Sequence, residues 1–259
     1  MSMKRTDMAC DFLPHENTTA RYVHSFTVTV NAALSQKLHR PTGKYTTVEC
    51  RAVPERNRLR FDEVSVQLAR ALNRLAPRSA RRVLVAGLGN PGMTADSLGA
   101  KTCARIMATQ GVPAQGHAEV CVLTPGVAGV TGIESFDVVA GVVERTRPDV
   151  VVAVDSLASA AVSRIASAFQ ATDTGITPGS GVSNHRERLC RDSLGVPVIS
   201  LGVPLVVYAS TIIEDATGEP CPEDTVRSVG NLIVTPKDID LYVADCADIL
   251  SSAITRAFV

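Results

Sequence analysis

Three short apolar runs limit what this chain can fold into more than any other feature. Residues 83–88 read VLVAGL, residues 150–154 read VVVAV and residues 196–201 read VPVISL. Runs this short and this uniformly apolar suit strands buried on both faces of a parallel sheet. Between and after them lie stretches of helical character. One is predicted over 97–110 and stopped by Gly111, one over 134–147 and ended by Pro148, and one over 157–168. Upstream, residues 62–75 place Val64, Leu68, Leu72 and Leu75 on one helical face. Residues 24–30 alternate apolar and polar, and 44–48 form a second short β candidate, so a small N-terminal β extension is expected. Residues 120–123 read as a weaker strand, and 206–213 are apolar with strand and helix both open. A final helix is predicted to start with Thr235 as N-cap and Pro236 in its first turn. Its apolar stripe would be Ile239, Val243, Ala247, Leu250, Ile254 and Phe258. Strands alternating with helices predict an α/β fold, a mainly parallel sheet with helices on both faces. Working groups in such folds gather at the carboxyl ends of the strands. That directs attention to the turns after Leu88, Val154 and Leu201.

Composition removes several function classes. Lys+Arg and Asp+Glu number 26 each, so the chain has no broad basic field for nucleic acid. It has no Trp and only 4% aromatic residues, too few for a base-stacking platform. The polar N-terminus lacks the apolar core of a signal peptide, and no run is long enough to span a bilayer. Seven scattered cysteines without CxxC spacing fit buried thiols in a reducing cytoplasm better than disulfides or a zinc site.

Gly87-Leu88-Gly89-Asn90-Pro91-Gly92 matches GxGxxG after a strand. Pro91 stands where a backbone N–H would approach pyrophosphate, and no acid ends a second strand about twenty residues on to hold a ribose. The turn also looks like the opening of bacterial peptidyl-tRNA hydrolase. Its continuation, Met93 to Gly99, lacks the His that such a site needs.

Two acids follow strands: Asp96 after the glycine turn and Asp155 directly after VVVAV. Each alone reads as a helix N-cap, a position where Asp accepts backbone N–H bonds. As a pair they suggest chemistry. Two neighbouring carboxylates do not both ionise cheaply, so one keeps a proton while the other can activate water. Such a dyad hydrolyses amides.

The residues that carry a resemblance run in order along the chain. They include Arg5-Thr6-Asp7, Pro41-Thr42-Gly43-Lys44-Tyr45, the turn from Gly87 to Gly99, and Thr131-Gly132-Ile133-Glu134. Ala153-Val154-Asp155-Ser156-Leu157, the segment from Asp173 to Asn184 and Val234-Thr235-Pro236-Lys237 complete them. On these segments the chain resembles the germination protease family. The resemblance implies a fold similar to hydrogenase maturation endopeptidases and an atypical aspartic endopeptidase with Asp96 and Asp155 as catalytic residues. It implies small acid-soluble spore proteins as substrates during germination, no cofactor, and no direct contact with nucleic acid or membrane. It further implies a zymogen that processes itself, a homotetramer, and a place in the cytoplasm of the forespore, the later spore core. Two departures stand out: Tyr208 where the family has Asp, and Thr177 where it has His.

The family cuts between an acid and an apolar residue followed by Ala, a small residue and a second acid. Asp7-Met8-Ala9-Cys10-Asp11 has that form, so self-cleavage is predicted between Asp7 and Met8. Residues 1–7 are then a prosegment and 8–259 a single protease domain. A protease preferring acids needs cations nearby, and Lys44, Arg186, Arg188 and Arg191 are candidates. The Gly179-Ser180-Gly181 loop could offer oxyanion donors, or be only a turn. Three alternatives stay open. One is a metal-dependent maturation-type peptidase with Asp96, Asp155 and His185 as ligands. The others are a peptidyl-tRNA hydrolase-like enzyme and a non-catalytic binder of spore proteins.

Overall fold

The computed structural model describes residues 6–12, 23–111, 117–179, 187–229 and 232–259. The strands are β1 (His24–Val30), β2 (Gly43–Glu49), β3 (Arg82–Gly87), β4 (Glu119–Leu123), β5 (Val150–Ser159), β6 (Ala168–Thr172), β7 (Val198–Tyr208) and β8 (Ile233–Val234). The helices are α1 (Ala32–Leu38), α2 (Phe61–Leu75), α3 (Leu98–Cys103), α4 (Ala128–Thr131), α5 (Ser135–Thr146), α6 (Arg191–Leu194), α7 (Ala209–Thr217), α8 (Glu223–Val229) and α9 (Ile239–Phe258).

All eight strands form one sheet in the order β1-β2-β6-β7-β5-β3-β4, with β8 paired to β7. The strands read from the apolar runs, together with β4, make the parallel block: β4, β3, β5 and β7 pair in parallel. The predicted N-terminal extension joins through β6, and the pairs β1–β2, β2–β6 and β6–β7 are antiparallel. One face is covered by α2, α3 and α9. Val64, Leu68, Leu72, Leu98, Val243, Leu250 and Ile254 pack there on Val83, Val85, Val152, Val154 and Leu201. The other face is shared. Val139 and Val143 of α5 cover Leu84, Ala86, Val151 and Ala153. Farther along that face, Met8 and Cys10 of the N-terminal segment cover Leu157 and Ala168.

Three predicted elements differ from the structure. The stretch 157–168 is not a helix: β5 continues to Ser159, a single 3-10 turn spans Val162–Arg164, and β6 begins at Ala168. Pairing of Ala158 with Val206 and Ser159 with Val207 overrides the helix propensity of an alanine-rich run. The helix expected over 97–110 ends at Cys103. The chain then tightens into bonds from Arg105 N–H to Thr102 O and Ile106 N–H to Cys103 O, and Thr109 bonds to Val120 beside β4. The last helix starts at Ile239 rather than Pro236, and Thr235 donates its hydroxyl to Pro236 O instead of capping. The ambiguous 206–213 stretch divides between β7 and α7. All seven cysteines are free thiols. Among the described residues no helix is long and apolar enough to cross a membrane.

Candidate active site

Asp96 and Asp155 come from neighbouring strands. β3 ends at Gly87, opposite Val154 of β5, and Leu88 N–H still reaches Val154 O at 2.8 Å. β5 runs on, so Asp155 is the first residue past the point where its neighbour's ladder stops. Asp96 closes a 3-10 turn (Thr94–Asp96) just before α3. Its Oδ2 accepts the Asn90 N–H at 2.7 Å. The glycine turn is therefore folded around a carboxylate, and the Asn90 N–H that a pyrophosphate would need is already donated. Gly89 has φ +93°, and a Cβ there would lie 2.1 Å from Asp96 O. Gly89→Ala is expected to destabilise the chain by about 2 kcal/mol or more, since it adds a left-handed strain to a backbone clash. Denaturant unfolding checks this, and a midpoint equal to wild type would contradict it.

Neither acid caps a helix through its side chain. Asp155 lies inside β5 with 6% of its surface exposed, and Ser156 N–H donates to its Oδ1 at 2.8 Å. Its carboxyl titrates well above the usual carboxylate range. Burial is the largest cause, the Asp96 charge the next, and the Ser156 N–H opposes both while Asp7 adds to the rise. Burial and the Asp96 charge together thus favour the neutral form of Asp155.

The third carboxylate in this field, Asp7, belongs to the bond predicted to be cut. Asp7 N–H donates to Ala158 O at 2.9 Å, and Ala158 N–H donates to Asp7 Oδ2 at 2.8 Å. Gln170 spans Met8, touching the peptide group on either side of it. Its Nε2 donates to Asp7 O at 3.2 Å and its Oε1 accepts from Ala9 N–H at 2.9 Å. Asp155 and Gln170 both stand opposite Gly202 of β7, so their side chains rise from the same face of the sheet, about 10 Å apart at the backbone. Between them Gly202 leaves room for the Leu157 side chain to lie over the main chain: a Cβ on Gly202 would meet Leu157 Cγ at 2.7 Å and Asp155 O at 2.9 Å.

Beside this bond an open pocket of ≈ 280 Å³ is lined by residues including Asp7, His39, Arg40, Gln170, Thr177 and Arg188. Of the four predicted cations, Arg188 reaches it and donates to Thr174 O at 2.5 Å. Lys44 is exposed on β2, one step from Tyr45 of the pocket wall, and Arg191 is exposed at the start of α6. Gly179 has φ +63° and is partly exposed. Ser180, Gly181, His185 and Arg186 lie outside the described residues. Tyr208 is buried at the end of β7, opposite Ile233. Among the described residues no group of three or more His, Cys, Asp or Glu is arranged to hold a metal ion.

Gln170 and Arg164 carry no local signal, because they fall in or beside the alanine-rich stretch 157–168 whose composition predicts a helix, where an arginine reads as a solvated face. Read as a strand, AFQAT shows a single amide between Phe169 and Ala171 on a buried element, which is a signal for a polar group held for a purpose.

A family model described as germination protease matches residues 3–218. Germination protease from Oceanobacillus iheyensis is 40% identical, with 85% of this chain and 79% of that protein covered. Those from Caldanaerobacter subterraneus subsp. tengcongensis (36%; 84% and 79% covered) and Clostridium perfringens strain 13 (33%; 88% and 82% covered) are similar. A solved [NiFe] hydrogenase maturation protease, HycI from Thermococcus kodakarensis KOD1, aligns over 71% of this chain and 99% of its own, at 18% identity and a TM-score of 0.43.

Proposed function

Since this chain belongs to the germination protease family, we propose that it is a spore-germination endopeptidase in which Asp96 and Asp155 act as an aspartate dyad and whose first substrate is its own Asp7–Met8 bond. The observation that carries this reading is the placing of that peptide: Gln170 donates to its carbonyl and accepts from the next N–H along, and Asp7 lies in the field of the buried Asp155, whose carboxyl pKa is raised. With the proton on Asp155, Asp96 is the ionised partner. It takes a proton from water as the water oxygen bonds to the Asp7 carbonyl carbon. The Gln170 N–H steadies the oxyanion. Asp155 gives its proton to the Met8 nitrogen as the C–N bond breaks, leaving Asp7 as a free acid and Met8 as a free amine. The dyad ends with its proton on Asp96 and resets by exchange.

On this reading the later substrates are small acid-soluble spore proteins, met in the cytoplasm of the spore, and the enzyme works as a homotetramer. Residues 1–7 are the prosegment and 8–259 the protease domain. Intact mass of the active enzyme tests the proposal: the expected chain begins at Met8. An active chain that retains Asp7 would refute self-cleavage at this bond.

A further inference from the structure

Residues 6–12 do more than pass the dyad; they fill a series of sites beyond it. Met8, Ala9 and Cys10 are each at most 1% exposed. Met8 packs on Leu157 and Ala168. The chain makes a single 3-10 turn, Ala9–Phe12, which carries Asp11 back down to the sheet. There the Asp11 side chain is 2% exposed. One oxygen pairs with Arg164 Nη1. The other accepts from Ala160 N–H at 2.7 Å, from the Ser159 hydroxyl at 3.4 Å and from the Thr6 hydroxyl. Arg164 is itself 5% exposed, and its Nε lies 3.6 Å from Glu49 Oε1.

A buried carboxylate is costly unless charge and hydrogen bonds both meet it. Here both do, and every donor except Thr6 comes from the body of the protein, not from the segment. Glu49 matters as well. It gives Arg164 a carboxylate partner whether or not Asp11 is present, so the guanidinium is not stranded when the segment leaves. A pocket built this way can be emptied and refilled by another acid.

We propose that Arg164, Ala160 N–H and Ser159 form a carboxylate-binding pocket that reads the acidic side chain four residues after the cut bond in a polypeptide substrate, and that Asp11 occupies it as a stand-in in the unprocessed chain. This rests on the reading that Asp7–Met8 is the bond cut. It explains the order of sizes in the segment: the peptide has to turn within the groove, and the second and third positions after the bond are buried where only small side chains fit.

The test uses the processed enzyme and two octapeptides, Arg-Thr-Asp-Met-Ala-Cys-Asp-Phe and the same peptide with Asn as its seventh residue. The wild type is expected to favour the Asp peptide about 10- to 100-fold in kcat/KM, the range of a charge-assisted hydrogen bond. Arg164→Met is expected to cut the two peptides within about twofold of each other, because the guanidinium that distinguishes them is gone. A wild type that cuts both alike or cuts neither overturns the pocket, and so does an Arg164→Met enzyme that keeps the preference. Should Arg164→Met fail to fold, Asp11→Asn in the full chain decides. Its self-processing is expected to slow at least about tenfold, and processing at the wild-type rate overturns the proposal. Asp155→Asn separates this inference from the one beneath it. If that variant still cleaves while Arg164→Met loses the acid preference, the aspartate mechanism falls and the pocket stands.

Discussion

Asp155→Asn will leave a folded chain that neither processes itself nor cuts a spore-type substrate, with a loss of about 10²–10⁴-fold in kcat, the usual scale for a positioned general acid or base. Asp96→Asn will do the same by removing the group that accepts the proton from water. Asn keeps the shape and can still accept the Ser156 N–H in one case and the Asn90 N–H in the other. It cannot carry a proton between water and a leaving amine. Mass spectrometry of the full-length variants over time, with and without chelator, is the measurement. Near-wild-type cleavage by either variant, or wild-type cleavage lost to chelator, would transfer the chemistry to another group.

The same substitution has an opposite effect on stability. Asp155 has a raised carboxyl pKa in the folded chain, so between the unfolded value and the folded one the native state binds more protons than the unfolded state. Stability from this group is fully present below the unfolded value and declines as pH rises toward the folded one. Asp155→Asn removes that decline. Its melting temperature is expected to exceed the wild type's on the alkaline side and to converge with it in acid.

The second large effect is at Gln170. Gln170→Glu keeps an oxygen to accept the N–H that Ala9 supplies but replaces the donor to the Asp7 carbonyl with a carboxylate oxygen. Loss of an oxyanion donor costs about 10²–10³-fold in kcat, and that loss is expected here with KM changed by much less. Gln170→Leu loses both contacts and is expected to lower kcat by a similar factor while also raising KM. A merely structural Gln170 would show a lower melting temperature with kcat preserved once the protein is folded. That outcome would remove it from the chemistry.

Much of the frame is legible in the chain, for a physical reason. VLVAGL and VVVAV are so uniformly apolar that no exposed face is available to them, and HSFTVTV alternates so regularly that its bounds are those of β1 itself. The two acids are placed by the ends of those strands, so their proximity follows once β3 and β5 are neighbours. The region from Leu157 to Thr172 is not legible locally. Its alanines favour a helix, and only the distant partner β7 makes the extended form better, with Ala166 turning at φ +53° to bring β6 back. Gln170 and Arg164 were hidden with it. Asp11 fits the family's cleavage pattern, yet nothing near it in sequence names Arg164 as its counter-charge, 153 residues away.

Gly202 has a consequence for anyone designing a ligand for this groove. The span from Asp155 to Gln170 is set at the backbone by two strand-to-strand hydrogen-bond spacings, and Gly202 between them leaves the space that the Leu157 side chain fills. That spacing does not drift by conservative exchange at Gly202, where even a methyl group collides with Leu157. It acts as a fixed ruler. A rigid inhibitor for this groove would be cut to that length and shaped to the Leu157 side chain between its two ends.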